Sequence, residues 1–246
     1  MGHPNGRCVV QMAMAKSSDG RISGISSMAT RLLLAELAAD YRRHSGVVVE
    51  FEAVGGVDAA KRVQAGEAFD LVVLASEAID KLAVGASVIA ASKTDLVRST
   101  VAVAVRAGAP RLQLDSEEAL RRAVLGAASI GYSTGPSGVA LLKLFERWGI
   151  AAELRPRIVQ APAGVPVGEL VAAGRVELGF QQASELIHLA GIELLGPMPA
   201  GCEIVTTFAA AICTASTQPQ AARQLLDFLR SPACDAAKRR QGMAPA

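Results

Sequence analysis

Histidine, aromatic residues and paired cysteines are all scarce in this chain of 246 residues, and each shortage closes off a class of function. Only 3 histidines are present, and the 4 cysteines, Cys8, Cys202, Cys213 and Cys234, stand far apart with no CxxC pair. Zinc needs clustered thiolate and imidazole ligands, so no metal site is expected, and the cysteines read as small buried or free thiols. There is no nucleophile elbow, HExxH or P-loop, and no cofactor is expected. Basic and acidic residues number 25 and 23 and form no block, so nucleic acid and membrane surfaces find no electrostatic footprint. No apolar run approaches the roughly 18 residues of a membrane span, so no insertion is expected. Solenoid repeats and low-complexity linkers are also missing.

With aromatics at 4% and apolar residues at 51%, the core must be built mostly of Ala, Val, Leu and Ile. Near the start, Arg7 precedes a short apolar segment ending in Ala13-Met14-Ala15, which resembles a cleavage site. That segment is at the lower length limit of a signal peptide and Gln11 interrupts it. Met1 to Arg21 therefore reads as a disordered leader. A cytoplasmic location is expected, or a periplasmic one if that leader is not native.

The most informative stretch runs from Ser129 to Trp148. Ser129 to Tyr132 suits a short buried strand. Ser133-Thr134-Gly135-Pro136-Ser137-Gly138 then crowds hydroxyls and turn-formers together, and Val139, Leu142, Phe145 and Trp148 recur at helical spacing. A strand, a Ser/Thr/Gly loop and a helix aim free N–H groups and a positive dipole end at an anion. The same residues also serve as ordinary N-caps and turns.

Other junctions repeat this logic. Ser26-Ser27 precedes a helix with Leu33, Leu37 and Tyr41 on one face and Arg42-Arg43-His44 in its last turn. Val47 to Glu52 alternates as a strand, and Gly55-Gly56 leads to a helix from Ala59 to Ala65. Asp70 to Ala75 reads as a fully buried strand running into Ser76-Glu77. Thr100 to Val105 is a further strand, and Ser116 with Glu117-Glu118 opens a helix. Later come strands at Arg157–Gln160, Val176–Phe180, Ile192–Leu195 and Glu203–Cys213, and helices at Val167–Ala173, Gln220–Arg230 and Pro232–Arg240. Strands alternating with helices imply βαβ units and a mostly parallel sheet. Two batches of such units predict lobe one at residues 22–102 and 207–246 and lobe two at 103–206, joined by two crossing segments. Ligands of open α/β sheets bind beyond the carboxyl ends of strands. Ser26-Ser27, Gly55-Gly56, Ser76, Ser133 to Ser137 and Gln181-Gln182 are therefore expected around one cleft.

This pattern resembles the type II periplasmic solute-binding fold and, within it, the molybdate-binding protein family, over about residues 24–242. The landmarks are the paired serines, Gly-Gly-Val after the second strand, FDLVVLASEAIDKL, GYSTGPSG, LVAAGRVELGF and the ending AARQLLDFLRSPACDAAKRRQGM. The resemblance implies two lobes closing on an oxyanion, with Ser26 or Ser27 and the loop Thr134-Gly135-Pro136-Ser137 as donors. Gly55-Gly56 stands where the family usually has serine, and Phe180-Gln181-Gln182 where it tends to have a tyrosine. The chain also resembles the aconitate isomerase branch, which would fit Gly55-Gly56 making room for a larger acid and Gln181-Gln182 reading a second carboxylate.

The expected function is a solute-binding protein that captures a small anion, a molybdate-like oxyanion or small carboxylate, between two lobes. A monomer is expected, with an ABC transporter permease as partner if it is exported. The alternative is a cytosolic isomerase acting on a small unsaturated polycarboxylate such as aconitate. A carboxylate ligand would suit Arg98 as a bidentate partner. Allylic proton transfer needs a positioned base, and Glu77, Asp58, Glu185 and Tyr132 lie near the expected cleft without one being singled out as catalytic. Glu77 and Asp58 read as first-turn helix acids, and His188 as a core or surface residue.

Overall fold

The structure, a computed structural model, describes residues 21–246. Cys8 and the leader up to Gly20 lie outside the described residues, while Arg21, expected in that leader, already opens a strand. β1 (Arg21–Ser27) leads through a 3-10 turn (Met28–Thr30) into α1 (Arg31–Ser45). α1 buries Leu33, Leu34, Leu37 and Tyr41, and ends at Gly46, whose φ of 76° is left-handed. β2 (Val48–Val54), α2 (Gly56–Gln64), β3 (Leu71–Ala75) and α3 (Ser76–Val84) follow. β3 is buried at every position, as a continuous apolar run covered on both faces must be. β4 (Thr94–Arg106) then crosses from the first lobe to the second.

The second lobe comprises α4 (Glu117–Gly126), β5 (Ile130–Tyr132), α5 (Pro136–Arg147), α6 (Ala151–Leu154) and β6 (Ile158–Gln160). α7 (Val167–Ala172), β7 (Leu178–Gln182), α8 (Ala183–Leu186) and β8 (Ile192–Pro197) complete it. The chain returns through β9 (Val205–Ile212), α9 (Pro219–Arg230), α10 (Asp235–Arg240) and β10 (Met243–Pro245). Ser116 caps α4, its Oγ accepting from the Ala119 N–H at 3.1 Å. Ser231 makes no such cap, and a 3-10 turn at Pro232–Cys234 splits the single helix expected from Pro232 to Arg240.

Strand pairing fixes where the lobes face each other. In the first lobe the order is β2-β1-β3-β9-β4, with β10 on β4; in the second, β7, β5 and β6 continue from β4, with β8 also on β4. β2, β1 and β3 are parallel, and so are β7, β5 and β6. β9 is antiparallel to both β3 and β4, so β4 runs in the direction of β3 and carries that direction into the second lobe. β7 is antiparallel to β4 and therefore points back. The carboxyl ends of the parallel strands in the two lobes thus confront each other. Pairing of β4 with β9 ends at Thr100–Val205, and pairing with β7 begins at Val101–Gln182. This is a two-lobed type II fold with mostly parallel sheets flanked by helices.

Both faces of each half-sheet are covered. In lobe one, Leu33, Leu37, Val73, Phe208, Leu225 and Leu229 pack on one side. Ile25, Val63, Val72, Ile79, Leu82 and Ala209 pack on the other. Leu141, Phe145, Ile130 and Phe180 form the main core of lobe two. Asp70 ties the far end of lobe one: its carboxylate accepts from the Ser23 N–H (2.9 Å), the Ser216 hydroxyl (2.7 Å) and the Gln218 amide (2.9 Å). Asp70→Ala leaves these donors unmatched and is expected to cost about 2 kcal/mol, read from urea unfolding with an unchanged m-value.

Candidate functional site

Ser26 and Ser27 are the last residues of β1, so strand alternation turns them to opposite faces. Both hydroxyls are buried. Ser27 lies against α2, close enough that a Cβ on Gly56 would stand 3.7 Å from its own Cβ. Gly55 is the N-cap of α2 and offers no capping side chain, which leaves the first N–H groups of the helix unclaimed by one. The exposed Asp58 carboxylate lies near Gly55, and part of that helix end already meets its own acid. Thr30 donates to the Ser27 carbonyl at 3.2 Å and fixes the turn into α1.

In lobe two, Gly135 is the N-cap of α5, Pro136 its first residue and Ser137 its second. Ser133 and Ser137 share a hydrogen bond at 3.0 Å between their hydroxyls, while Thr134 is exposed. Gly138 lets the helix fold back on this loop, because any Cβ there would overlap the Ser133 carbonyl. At the end of β7 the two glutamines divide their work. Gln182 donates to the Thr206 hydroxyl at 2.7 Å, linking lobe two to the returning strand. Gln181 accepts from the Val167 N–H and donates to the Glu185 carboxylate, both at 2.7 Å.

Buried polar atoms normally have partners. Among the described residues, Ser26 Oγ, Ser27 Oγ, Ser99 Oγ, Gln182 Oε1 and Ser184 Oγ are buried with none. All five belong to the ends of β1 and β7, the start of α8 or the crossing part of β4, where the two lobes meet. Glu185 sits among them, partly buried in the short α8, which packs against the 3-10 turn of lobe one. Burial pushes its carboxyl up to about 7, against the opposing effects of the Gln181 hydrogen bond and the positive charge of Arg31. Arg31, the first residue of α1, is exposed and belongs to the opposite lobe.

The family described as bacterial extracellular solute-binding protein matches residues 22–244, nearly the whole described chain. The chain belongs to that family. A Pseudomonas relative described as aconitate isomerase is 36% identical over 209 residues, covering 82% of this chain and 79% of its own. The periplasmic molybdate-binding protein of Azotobacter vinelandii superposes with a TM-score of 0.76 at 19% identity, covering 91% of this chain and 98% of its own. The tungstate ABC transporter protein of Geobacter sulfurreducens gives 0.72 at 16% identity, over 90% and 98%. At these identities the two structures speak for the fold.

For this solute-binding protein the geometry brings some of the expected site residues together and sets others apart. Ser27 and Gly56 adjoin, as do Ser133 and Ser137. Ser76 Oγ donates to Asp95 at 3.2 Å at the start of α3. Arg98 donates to the Pro245 carbonyl at 3.4 Å and lines a groove of about 600 Å³ with Thr100, Val205, Arg239 and residues 242–244. Gln181 has both polar ends occupied inside lobe two. Glu77 and Asp58 are exposed first-turn acids, and Tyr132 packs on the lobe-two core. His188 is exposed, its Nε2 3.0 Å from Gln241 Oε1. Ser99, Ser184, Thr206 and Arg31 carry no motif, and their place at the seam depends on strand pairing alone. Among the described residues no group of three His, Cys, Asp or Glu is placed to hold a metal.

Proposed function

We propose that this protein binds a small unsaturated polycarboxylate of the aconitate class between its lobes and interconverts its isomers by moving an allylic proton. The observation that carries the reading is the set of five buried, unpartnered polar atoms gathered where the lobes meet. The four serine hydroxyls among them can donate to the oxygens of an anion, and lobe closure around it supplies donors from both sides. The α2 and α5 N-termini add N–H groups, with Gly55-Gly56 leaving room for a ligand larger than a tetrahedral oxyanion. Identity to the aconitate isomerase is spread over 82% of the chain and so spans both lobes.

The second reading is capture without chemistry, the anion being handed to an ABC transporter permease by a monomer outside the cytoplasm. The family and the molybdate- and tungstate-related structures favour it. A thermal-shift series with molybdate, tungstate, sulfate, phosphate, citrate and both aconitates separates the two, since a tight ligand raises the midpoint by mass action. Aconitate is expected to give the shift and to be interconverted. A shift with molybdate or tungstate alone would sink the isomerase reading. Ser27→Ala and Ser137→Ala are each expected to weaken binding by about 1–3 kcal/mol, measured by calorimetry. Unchanged affinity in both would remove these serines from the site.

A further inference from the structure

We propose that Glu185 is the group that removes and returns the allylic proton, and that Gln181 is its positioning residue. The proposal rests on the isomerase reading and assigns the chemistry that reading requires. Four observations lead to it. Glu185 lies at the seam between the lobes, next to Ser184, whose buried hydroxyl has no partner. One carboxylate oxygen, Oε2, is held at 2.7 Å by Gln181 Nε2, and the described residues place no second donor on Oε1. Gln181 is itself fixed, its carbonyl oxygen accepting the Val167 N–H at 2.7 Å, so the carboxyl is oriented through a buried chain of two hydrogen bonds. Finally, α8 packs against the turn that carries the chain into α1, and the charge of Arg31 from that lobe acts on Glu185. Of the other three groups that the sequence offers as a base, Glu77 and Asp58 are exposed on helix first turns and Tyr132 packs into the lobe-two core. A carboxyl that titrates near neutrality both takes and gives a proton efficiently at neutral pH.

The step balances without a co-reactant. Glu185 carboxylate takes a proton from the substrate methylene, and the C–H electron pair spreads over the three allylic carbons into the adjoining carboxylate. The double bond moves across, and the Glu185 carboxylic acid returns a proton to the far carbon. The rotamer held about the single bond that becomes double sets the cis or trans product. The unpartnered serine hydroxyls at the seam supply donors for the carboxylates that share the charge.

The test uses the full chain and three readouts: aconitate thermal shift, cis–trans interconversion, and deuterium uptake into aconitate from heavy water by NMR. Glu185→Gln is expected to keep the thermal shift while losing at least about 1000-fold in both interconversion and deuterium uptake. Gln181→Ala is expected to lower kcat by about 10- to 100-fold with KM changed less than threefold, and Gln181→Glu to move the pH profile upward. If Glu185→Gln does not fold, Glu185→Asp carries the test, with an expected kcat loss of about 10- to 100-fold. Interconversion within tenfold of wild type in Glu185→Gln would overturn the assignment and leave the isomerase reading standing. A wild-type protein that binds aconitate with neither interconversion nor deuterium uptake would overturn both.

Discussion

Gly138→Ala is expected to destabilise the protein by more than about 3 kcal/mol and to abolish anion binding at concentrations that saturate the wild type. The added Cβ would overlap the Ser133 carbonyl, a backbone atom that cannot rotate away, and would also press on the Tyr132 ring. Relief requires the first turn of α5 to lift off the loop. That movement breaks the Ser133–Ser137 hydrogen bond and displaces the N–H groups at the helix start. Gly135→Ala provides the control three residues earlier. Its nearest contact would be Ser133 Oγ at 4.0 Å, and its φ of −83° suits any residue, so the cost is expected below about 1 kcal/mol. Urea unfolding and calorimetry on both variants decide the matter. Equal stability of the two would mean that close packing of Gly138 on Ser133 does not shape this loop.

The second large effect is a dependence of stability on pH. Glu185 has its folded-state carboxyl raised from 4.5 to about 7 by burial. Below about pH 4.5 both folded and unfolded chains hold this proton, and the group costs nothing. Between pH 4.5 and 7 the unfolded chain releases it while the folded one retains it, so stability falls as pH rises. Above pH 7 the penalty is complete, at about 3 kcal/mol. Glu185→Gln stays neutral throughout and can keep a hydrogen bond to Gln181. Its thermal midpoint is therefore expected to match wild type near pH 4 and to exceed it by several degrees at pH 8. A constant difference across this range would mean that Glu185 is solvated in the folded protein. The cost is consistent with a site held in a destabilised form for use.

Much of this architecture can be read from periodicity. The buried strand Leu71–Ala75, the αL stop at Gly46, the Ser116 cap and the junction from Ser129 to Trp148 each follow from local rules, because their causes are local. β4 begins at Thr94 and not Thr100, since Thr94–Ser99 sets only Leu96 and Val97 among polar residues and becomes a strand by pairing with β9 and β10. α2 starts at Gly56 and not Ala59, because a glycine pair reads as a loop even where the helix begins directly after it. The serines and glycines of the loops were visible as hydrogen-bonding groups. Ser99, Thr206 and Ser184 were not, as a single hydroxyl on a strand signals nothing until its neighbours across the sheet are known. Arg98 looked suited to a carboxylate by charge and position in the chain, yet strand pairing with β10 aims it at the Pro245 carbonyl. Glu185 resembled any acid in a first turn; only its contact with Gln181 and its place between the lobes set it apart.

The placing of β9 between β3 and β4 also orders events as the chain leaves the ribosome. Lobe two's strands run without interruption from Val101 to Pro197, so that sheet can pair as soon as its own residues are delivered. Lobe one has its first strand in hand much earlier, but β3 and β4 have no partner between them until Val205–Ile212 arrives. The half synthesised first is thus the half completed last, and for most of synthesis β3 presents an open, apolar edge. An edge of that kind is what molecular chaperones and wrong strand pairings compete for.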